Sequence, residues 1–504
     1  MISAPAAQAR NTRSAAGLKK NCMVFLSCLL SAALLVLSFP RIEFSFLAWF
    51  ALVPLLFILD GKKSWRAFRR GWFCGFLFFL ALFGWIVYVT YIGAFFLAAF
   101  LALYFGLFGV LFVYFQARLS LTPRLLVLSA VWVVLEFIRA HFLSGFGWGM
   151  LAHTQYQNLW LIQISDKTGI YGISFLVMLV NLLIFEIIKA RRLLAQATLI
   201  VAVILLAVLV YGYYLIHEPR TISTVRVGVV QPNISLAEDW DDAQKPAIVD
   251  KTIQLTRQLR DDNLDLIVWP ETALPGVVTD SPSLLFRIRE EAALLHSSLM
   301  IGSMAQDGDK YFNSGFLIGP DGQMLGHYDK MHLVPFGEYL PYRPVLGWID
   351  KYVPIEDFTP GKDYKTFPVG PGSKKFSVLI CFEDTLGDLD RHFALAGAQF
   401  FVNITNDAWF EDTRAPFMHL QGAVLSCVEN HRALARAANT GVSAIIDPWG
   451  RIITTVHDGH GKKTFMQGVA WGEVPLTFQQ SFYTKYGDVF TLACFLCILM
   501  AVAF

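Results

Sequence analysis

Between Gly71 and Phe115 there is no charged residue, and this run constrains the fold more than any motif does. A helix rises about 1.5 Å per residue, so about 20 apolar residues cross a hydrocarbon layer of about 30 Å. The run is long enough for two crossings, with the turn expected near Thr90–Gly93. Shorter apolar runs lie at Asn21–Pro40, Phe44–Leu59, Leu125–Ala140, Gly172–Ile188, Ala195–Ile216 and Val489–Phe504. Together they predict about eight spans. The length of the first run, and the lack of a small-x-small cleavage site before Pro40, read as a retained anchor rather than a signal peptide. Charged residues make up 16% of the 504-residue chain, against about 25% in soluble proteins, and the deficit falls on these segments. The expected organisation is an N-terminal membrane domain of seven helices over 1–216, a soluble domain over 217–488 and a last helix over 489–504.

Basic residues in short loops set orientation. Alternate loops hold Arg10, Arg13, Lys19 and Lys20; Lys62, Lys63, Arg66, Arg69 and Arg70; Arg118 and Arg124; and Lys189, Arg191 and Arg192. The opposite loops and their borders hold only Arg41, Arg139 and Lys167. Both termini are therefore expected in the cytoplasm and the soluble domain outside it. A net charge of +2 with no dense basic tract gives no support for nucleic acid. Glu136 and Arg139, three apart near the outer end of the fifth run, are either an ion pair on one helix face or a functional intramembrane pair. The Gly145-Phe146-Gly147-Trp148 stretch after them reads as an interfacial loop or as part of an aromatic belt.

Residues 217–488 alternate strand and helix patterns. Strands are expected at Val225–Val230, Leu264–Trp269, Leu299–Ser303, Tyr311–Ile318, Gln323–Tyr328, Phe376–Ile380, Gln399–Ile404 and Val442–Ile446. Helices are expected at Ala247–Arg260, Leu284–His296 and Pro416–Ala438. Buried strands interleaved with helices mean an α/β sheet covered by helices. No G-x-G-x-x-G opens a helix after a strand, which removes support for a dinucleotide fold.

Reactive residues in such folds sit at the carboxyl ends of strands. Glu271 follows Leu264–Trp269, Lys330 follows Gln323–Tyr328 and Cys381 follows Phe376–Ile380. A thiolate nucleophile, a carboxylate to take its proton and an ammonium to hold an oxyanion make a complete acyl-transfer set. Singly, each residue also reads as a turn residue, a solvated charge or buried filler, and spacing alone does not bring them together. Of the seven cysteines, only Cys381 and Cys427 lie in the soluble part. A disulfide between them would silence a nucleophile, and Cys427 reads as a buried residue on the long helix. The spacings suit no zinc site, and His457-Asp458-Gly459-His460 reads as a surface turn.

Three segments resemble the signatures of the nitrilase superfamily, in that family's order: Trp269-Pro270-Glu271-Thr272, Tyr328 to Glu338 around Lys330, and Ile380-Cys381-Phe382-Glu383-Asp384. Asn430–Gly441, with Arg432 and Arg436, is similar to it as well. The fusion to membrane spans, the Pro335-Phe336-Gly337-Glu338 extension and the Gly145–Trp148 loop look like the superfamily's membrane-embedded branch, the apolipoprotein N-acyltransferases. The resemblance implies an α-β-β-α sandwich for the soluble domain, with Cys381 as nucleophile, Glu271 as general base and Lys330 as oxyanion stabiliser. It implies supporting roles for Glu338 and Glu383, a mobile-loop tryptophan at Trp240 and substrate contact at Trp148. Phe382 departs from the tyrosine often found there. The implied reaction moves a fatty acyl chain from a phospholipid, phosphatidylethanolamine by expectation, to the N-terminal amine of a diacylglyceryl-cysteine apolipoprotein through a Cys thioester. The implied setting is the bacterial inner membrane, as a monomer without cofactor or metal. Rival readings are a membrane-anchored amidase acting on a small C–N substrate, and a transporter or receptor whose outer domain only binds. Arg343 and Lys351 are further candidates for a lipid phosphate.

Overall fold

The computed structural model describes residues 4–218, 223–239, 241–348, 357–370, 372 and 374–503. Trp240 and Lys351 lie outside them. Each apolar run is helical. Helix α1 spans Ala4–Leu37. The Phe44–Leu59 run differs from a plain span: it breaks into a 3-10 turn, Ser45–Trp49, and a short α2, Val53–Leu59, with Pro54 in its first turn. The backbone groups freed by this break are met by neighbours. Leu52 N–H donates to Asn181 Oδ1 at 2.9 Å and Leu55 N–H to Ser31 Oγ at 3.0 Å, as a lipid-embedded backbone requires. Helices α3, Ser64–Leu82, and α4, Tyr91–Gln116, form the hairpin expected from the long uncharged run. Thr90 Oγ1 caps α4 by accepting from Gly93 N–H at 3.2 Å. Then come α5, Leu121–His141, α6, Tyr171–Ala190, and α7, Ala195–His217. Five helical segments are long and apolar enough to cross a membrane by length and composition: Lys19–Leu37, α4, α5, α6 and α7. Helix α3 carries Arg66, Arg69 and Arg70 in its first turns.

The ends of the helices segregate. Arg41 pairs with Asp412, the Trp85 ring lies 4.7 Å from Phe410, and Trp148 Nε1 donates to Thr385 Oγ1 at 3.2 Å. The segments after the first, third and fifth helical passages thus meet the soluble domain. At the other end Lys189 pairs with Asp60 at 2.9 Å and Arg124 with Glu186 at 3.0 Å. Glu136 and Arg139 are both buried, and each engages the segment after α5. Glu136 accepts from Trp132 Nε1 and Leu151 N–H, each at 2.9 Å, while Arg139 donates to the Trp148 carbonyl at 2.7 Å. Their spacing therefore serves to hold the Trp148–Leu151 backbone.

The soluble domain has two six-stranded sheets. The first runs β12-β1-β2-β3-β4-β5 and the second β11-β10-β9-β8-β7-β6. In chain order the strands are β1, Thr224–Gln231; β2, Leu266–Val268; β3, Ser298–Asp307; β4, Lys310–Ile318; β5, Met324–Asp329; β6, Phe367–Pro368; β7, Lys375–Ile380; β8, Phe400–Thr405; β9, Ala433–Ala438; β10, Ala444–Ile446; β11, Ile452–Thr455; and β12, Gly468–Pro475. Strands β1, β2 and β3 are parallel, as are β7, β8 and β9; the flanking pairs are antiparallel. Side chains alternate across each strand. Leu266 and Val268 face the other sheet, in one core with Val378, Ile380 and Val402. Ile267 points outward, under Val249 and Ile253 of α8, Lys245–Thr256, and Ile288 and Ala292 of α9, Pro282–Leu295. The second sheet is covered by α10, Gly387–Leu395, and α11, Ala415–Asn430. This is the expected α-β-β-α sandwich, and α12, Val489–Ala503, returns the chain to the membrane bundle beside α5.

One element overturns the sequence reading. The helix expected over Pro416–Ala438 ends at Asn430, and Ala433–Ala438 is a strand. His431 takes a left-handed φ of 50°, which closes α11, and Ala-Leu-Ala-Arg-Ala-Ala then lies fully buried between β8 and β10. Local helix propensity favours these alanines in a helix. Burial between two strands that leave no other hydrogen-bond partner outweighs it.

Candidate active site

Glu271, Lys330 and Cys381 converge on one end of the sandwich. Trp269-Pro270 carries the chain out of β2, and the Glu271 loop lies so close to β3 that a Cβ on Gly302 would meet Glu271 Cα at 2.6 Å. Glu271 Oε1 accepts from Asn313 Nδ2 at 2.7 Å and Oε2 from Asn406 N–H at 2.9 Å. Lys330, just past β5, is 1% exposed. Its Nζ lies 2.8 Å from Glu338 Oε2 and 3.9 Å from Glu271 Oε1. Glu338 accepts further from Asn313 Nδ2 at 2.8 Å and Val334 N–H at 2.7 Å. One amide and one ammonium therefore bridge two carboxylates.

Cys381 opens a 3-10 turn, Cys381–Thr385, straight off β7, with φ of 55°. A non-glycine residue in this region is held there by its surroundings. Three grips are visible. Asn403 Nδ2 donates to the Cys381 carbonyl at 2.8 Å. Glu383 is fully buried; it accepts from Ile380 N–H at 2.7 Å, Met331 N–H at 2.8 Å, His332 N–H at 2.9 Å and Tyr328 O–H at 3.0 Å. Glu383 thus ties the cysteine turn to the lysine segment. Trp148 closes the turn from the membrane side through Thr385. Phe382 turns its ring toward Lys330 Nζ, 5.4 Å from the centroid, and toward His332 at 5.7 Å. Its missing hydroxyl leaves a cation–π contact as the link at that position.

Burial dominates the electrostatics. It raises the Cys381 thiol well above its ordinary range; Glu271, Asp407 and Glu338 add to this and Lys330 opposes it. Burial also raises Glu271, with Lys330 pulling it back. For Lys330 burial is outweighed by Glu338, Cys381 and Glu271, so the ammonium is held charged. Glu383 is pushed up to about 7 by burial, against the pull of the Ile380 and His332 N–H groups and Lys330.

The described cysteines are free, and Cys427 is buried on α11. Arg343 pairs with Asp357 at 2.8 Å. Arg432 donates to the Ala398 carbonyl at 2.6 Å and the Gln479 carbonyl at 2.7 Å, fixing loops rather than meeting the site. Arg436 does reach the site, donating to Asn403 Oδ1 at 2.8 Å behind Cys381. Sequence reasoning missed Asn313, Asn406 and Asp407. The last two follow β8, so the strand-end rule that marks Cys381 marks them as well. Asn313, mid-strand on β4, carries no such signal.

Family models match both parts of the chain. Residues 31–183 match the apolipoprotein N-acyltransferase N-terminal domain, and residues 226–468 match the carbon-nitrogen hydrolase family. The chain is 37% identical over 495 residues to an apolipoprotein N-acyltransferase of Geobacter metallireducens, covering 93% of each chain. The chain belongs to the apolipoprotein N-acyltransferase family. A member from Chlorobaculum tepidum is 30% identical over 503 residues, covering 92% of this chain and 93% of that one. Among solved structures, an amidase from Nesterenkonia sp. aligns with 17% identity and a TM-score of 0.38, over 52% of this chain and 94% of that one. Membership in the apolipoprotein N-acyltransferase family, together with the apolar helices, makes this a membrane protein with a nitrilase-like acyltransferase domain.

Proposed function

We propose that this enzyme moves a fatty acyl chain from a phospholipid to the N-terminal amine of a diacylglyceryl-cysteine apolipoprotein by ping-pong chemistry through a thioester on Cys381. The observation that carries the reading is the strained Cys381 turn, beside Glu271 and Lys330 and gripped by Trp148 of the membrane domain. A raised thiol is not a standing thiolate. Glu271, itself raised above the ordinary carboxylate range by burial, takes the proton as sulfur attacks the ester carbonyl. Lys330 holds the oxyanion. Collapse returns the proton from Glu271 to the departing lysophospholipid oxygen and leaves the thioester. The α-amine then attacks, and Glu271 takes the amine proton and passes it to the departing sulfur, so that the amide forms and the Cys381 thiol is restored. Glu338 and Asn313 position Lys330 and Glu271; Glu383 positions the turn. Keeping both lipids in the bilayer avoids exposing acyl chains at about 0.8 kcal/mol per CH₂.

In this reading the donor is phosphatidylethanolamine and the setting is the bacterial inner membrane. The catalytic domain is periplasmic, as the basic residues of the opposite loops support. The test is intact mass after incubation with phospholipid, with wild type beside Cys381→Ala. A hydroxylamine-labile gain of one acyl chain in wild type alone, discharged by a diacylglyceryl-cysteine peptide, is the expected result. Discharge by water but not by the amine would favour a hydrolytic amidase. No adduct on folded, lipid-exposed protein would remove phospholipid as donor.

A further inference from the structure

Behind the cysteine turn lies a buried group of charges that the mechanism above does not use. His419 on α11 is fully buried, and its two ring nitrogens each lie 2.9 Å from a buried carboxylate: Nδ1 from Asp407 Oδ1 and Nε2 from Asp384 Oδ1. A carboxylate only accepts, so both contacts are satisfied only if both ring nitrogens donate, which requires the imidazolium. In either neutral tautomer, one nitrogen lone pair would face a carboxylate lone pair. Arg436 completes the group, donating to Asp384 Oδ2 and reaching Asp407 Oδ2 at 3.4 Å. With His419 charged, two anions and two cations balance; with it neutral, one negative charge is left over in a dry site. Burial and Arg436 push His419 toward the neutral form, but Asp384 and Asp407 outweigh them and hold it above the ordinary histidine range.

The group touches the nucleophile by two routes. Asp384 belongs to the Cys381 turn itself. Arg436 holds Asn403, which holds the Cys381 carbonyl. Asp407 also acts directly, since its charge raises the Cys381 thiol. On the lipid side, the Trp148 ring packs on His419 with centroids 5.4 Å apart, a contact that favours a cationic imidazole and keeps water off it.

We propose that His419 is a charged positioning residue for the acyl-transfer reaction: as an imidazolium clamped between Asp384 and Asp407, it fixes the Cys381 turn and offsets the carboxylate that would otherwise disfavour the thiolate. The proposal rests on Cys381 being the nucleophile. The groups facing Cys381 are Glu271, Lys330, Glu338 and Asp407; those facing His419 are Asp384, Asp407 and Arg436, with Asp390 beside Asp384.

The test is the pH dependence of iodoacetamide alkylation of the Cys381 peptide, read by mass spectrometry on the detergent-solubilised full chain, with steady-state kinetics alongside. In His419→Gln the alkylation midpoint is expected to rise by about one unit, about a tenfold loss of thiolate at fixed pH. The same variant should lose kcat with KM for phospholipid unchanged. Asp407→Asn should shift the midpoint the other way, since it removes an anion near sulfur and leaves the cation. Opposite shifts are not what loosened packing produces. An unmoved midpoint in folded His419→Gln overturns the proposal; if that variant does not fold, an Asp407→Asn midpoint that fails to fall does so. Alkylation does not depend on thioester formation, so absence of the thioester in wild type would defeat the acyl-transfer reading while these shifts still decide the role of His419.

Discussion

Glu383→Gln tests how the nucleophile is held. Glu383 Oε1 accepts from Met331 and His332 N–H and Oε2 from Ile380 N–H, while the Tyr328 hydroxyl lies 3.0 and 3.1 Å from the two oxygens. A glutamine can place its carbonyl at the Oε1 position and keep the Met331 and His332 bonds. Its NH₂ then faces Ile380 N–H, donor against donor. A charge-assisted hydrogen bond is worth about 1.5–3 kcal/mol, and a stranded buried N–H costs about 1–3 kcal/mol. Against this, the amide no longer buries a charge, and burial already pushes Glu383 up to about 7. The net penalty is about 2 kcal/mol, and it falls on the Ile380–Cys381 link. If the turn relaxes from its left-handed φ of 55° before sulfur attacks, the transition state bears that penalty. Acylation then slows about 30-fold, at 1.36 kcal/mol per tenfold. Single-turnover thioester formation, quenched and read by intact mass, measures it. A rate within about threefold of wild type would show that Glu383 does not set the position of Cys381, and the account of the turn would fail.

Other perturbations follow from the same geometry. Because Glu271 is raised by burial, it protonates, and acylation is lost, at a pH above the usual glutamate value of about 4.3; this acid limb should be displaced upward in wild type and absent from the residual rate of Glu271→Gln. Trp148→Phe keeps a ring beside His419 but removes the bond to Thr385, so acylation should fall about three- to tenfold, the worth of a hydrogen bond of about 0.5–1.5 kcal/mol, and Trp148→Ala further. Phe382→Tyr keeps the ring face on Lys330 and should leave the rate unchanged, whereas Phe382→Leu should cost up to about 2 kcal/mol in acylation. Tyr328→Phe removes one of the donors to Glu383 and should lower the melting temperature measurably while leaving the three backbone bonds to hold the turn.

The legible parts of this chain were those with a strong periodic or chemical signal. Apolar runs announce helices because lipid leaves the backbone no other partner, and each is helical in the structure, with the Phe44–Leu59 run broken in two. The break at Ser45–Val53 was not legible, because the side chains that permit it, Ser31 and Asn181, lie on other helices. Strand ends carry Glu271, Lys330 and Cys381, so position along the chain marked them singly. Their convergence depends on which strands pair, and that is set by burial of both sheets' inner faces. The Ala433–Ala438 segment failed for the same reason: six residues of helix-forming composition became the central strand that brings Arg436 behind Cys381. His419 gave no signal at all, since a histidine on an apolar helix looks like a core residue until the two carboxylates beside it are known.

In the proposed mechanism, charge conservation favours a glutamate base over a preformed thiolate. Glu271 and Glu338 share one ammonium, Lys330, and one amide, Asn313. With Cys381 protonated, the three ionised groups carry one net negative charge. Releasing the thiol proton to solvent would place a second negative charge beside the buried Lys330 and its carboxylates, where uncompensated charge is most costly. Passing that proton to Glu271 leaves the total unchanged, and the negative charge moves toward the acyl carbon that Lys330 faces. In the proposed second half-reaction the same holds in reverse, with Glu271 passing the amine's proton to the departing sulfur. Water admitted to this site would solvate a free thiolate and supply a competing nucleophile. Trp148 packs against the turn that carries Cys381, donating to Thr385 Oγ1 and lying against the His419 ring.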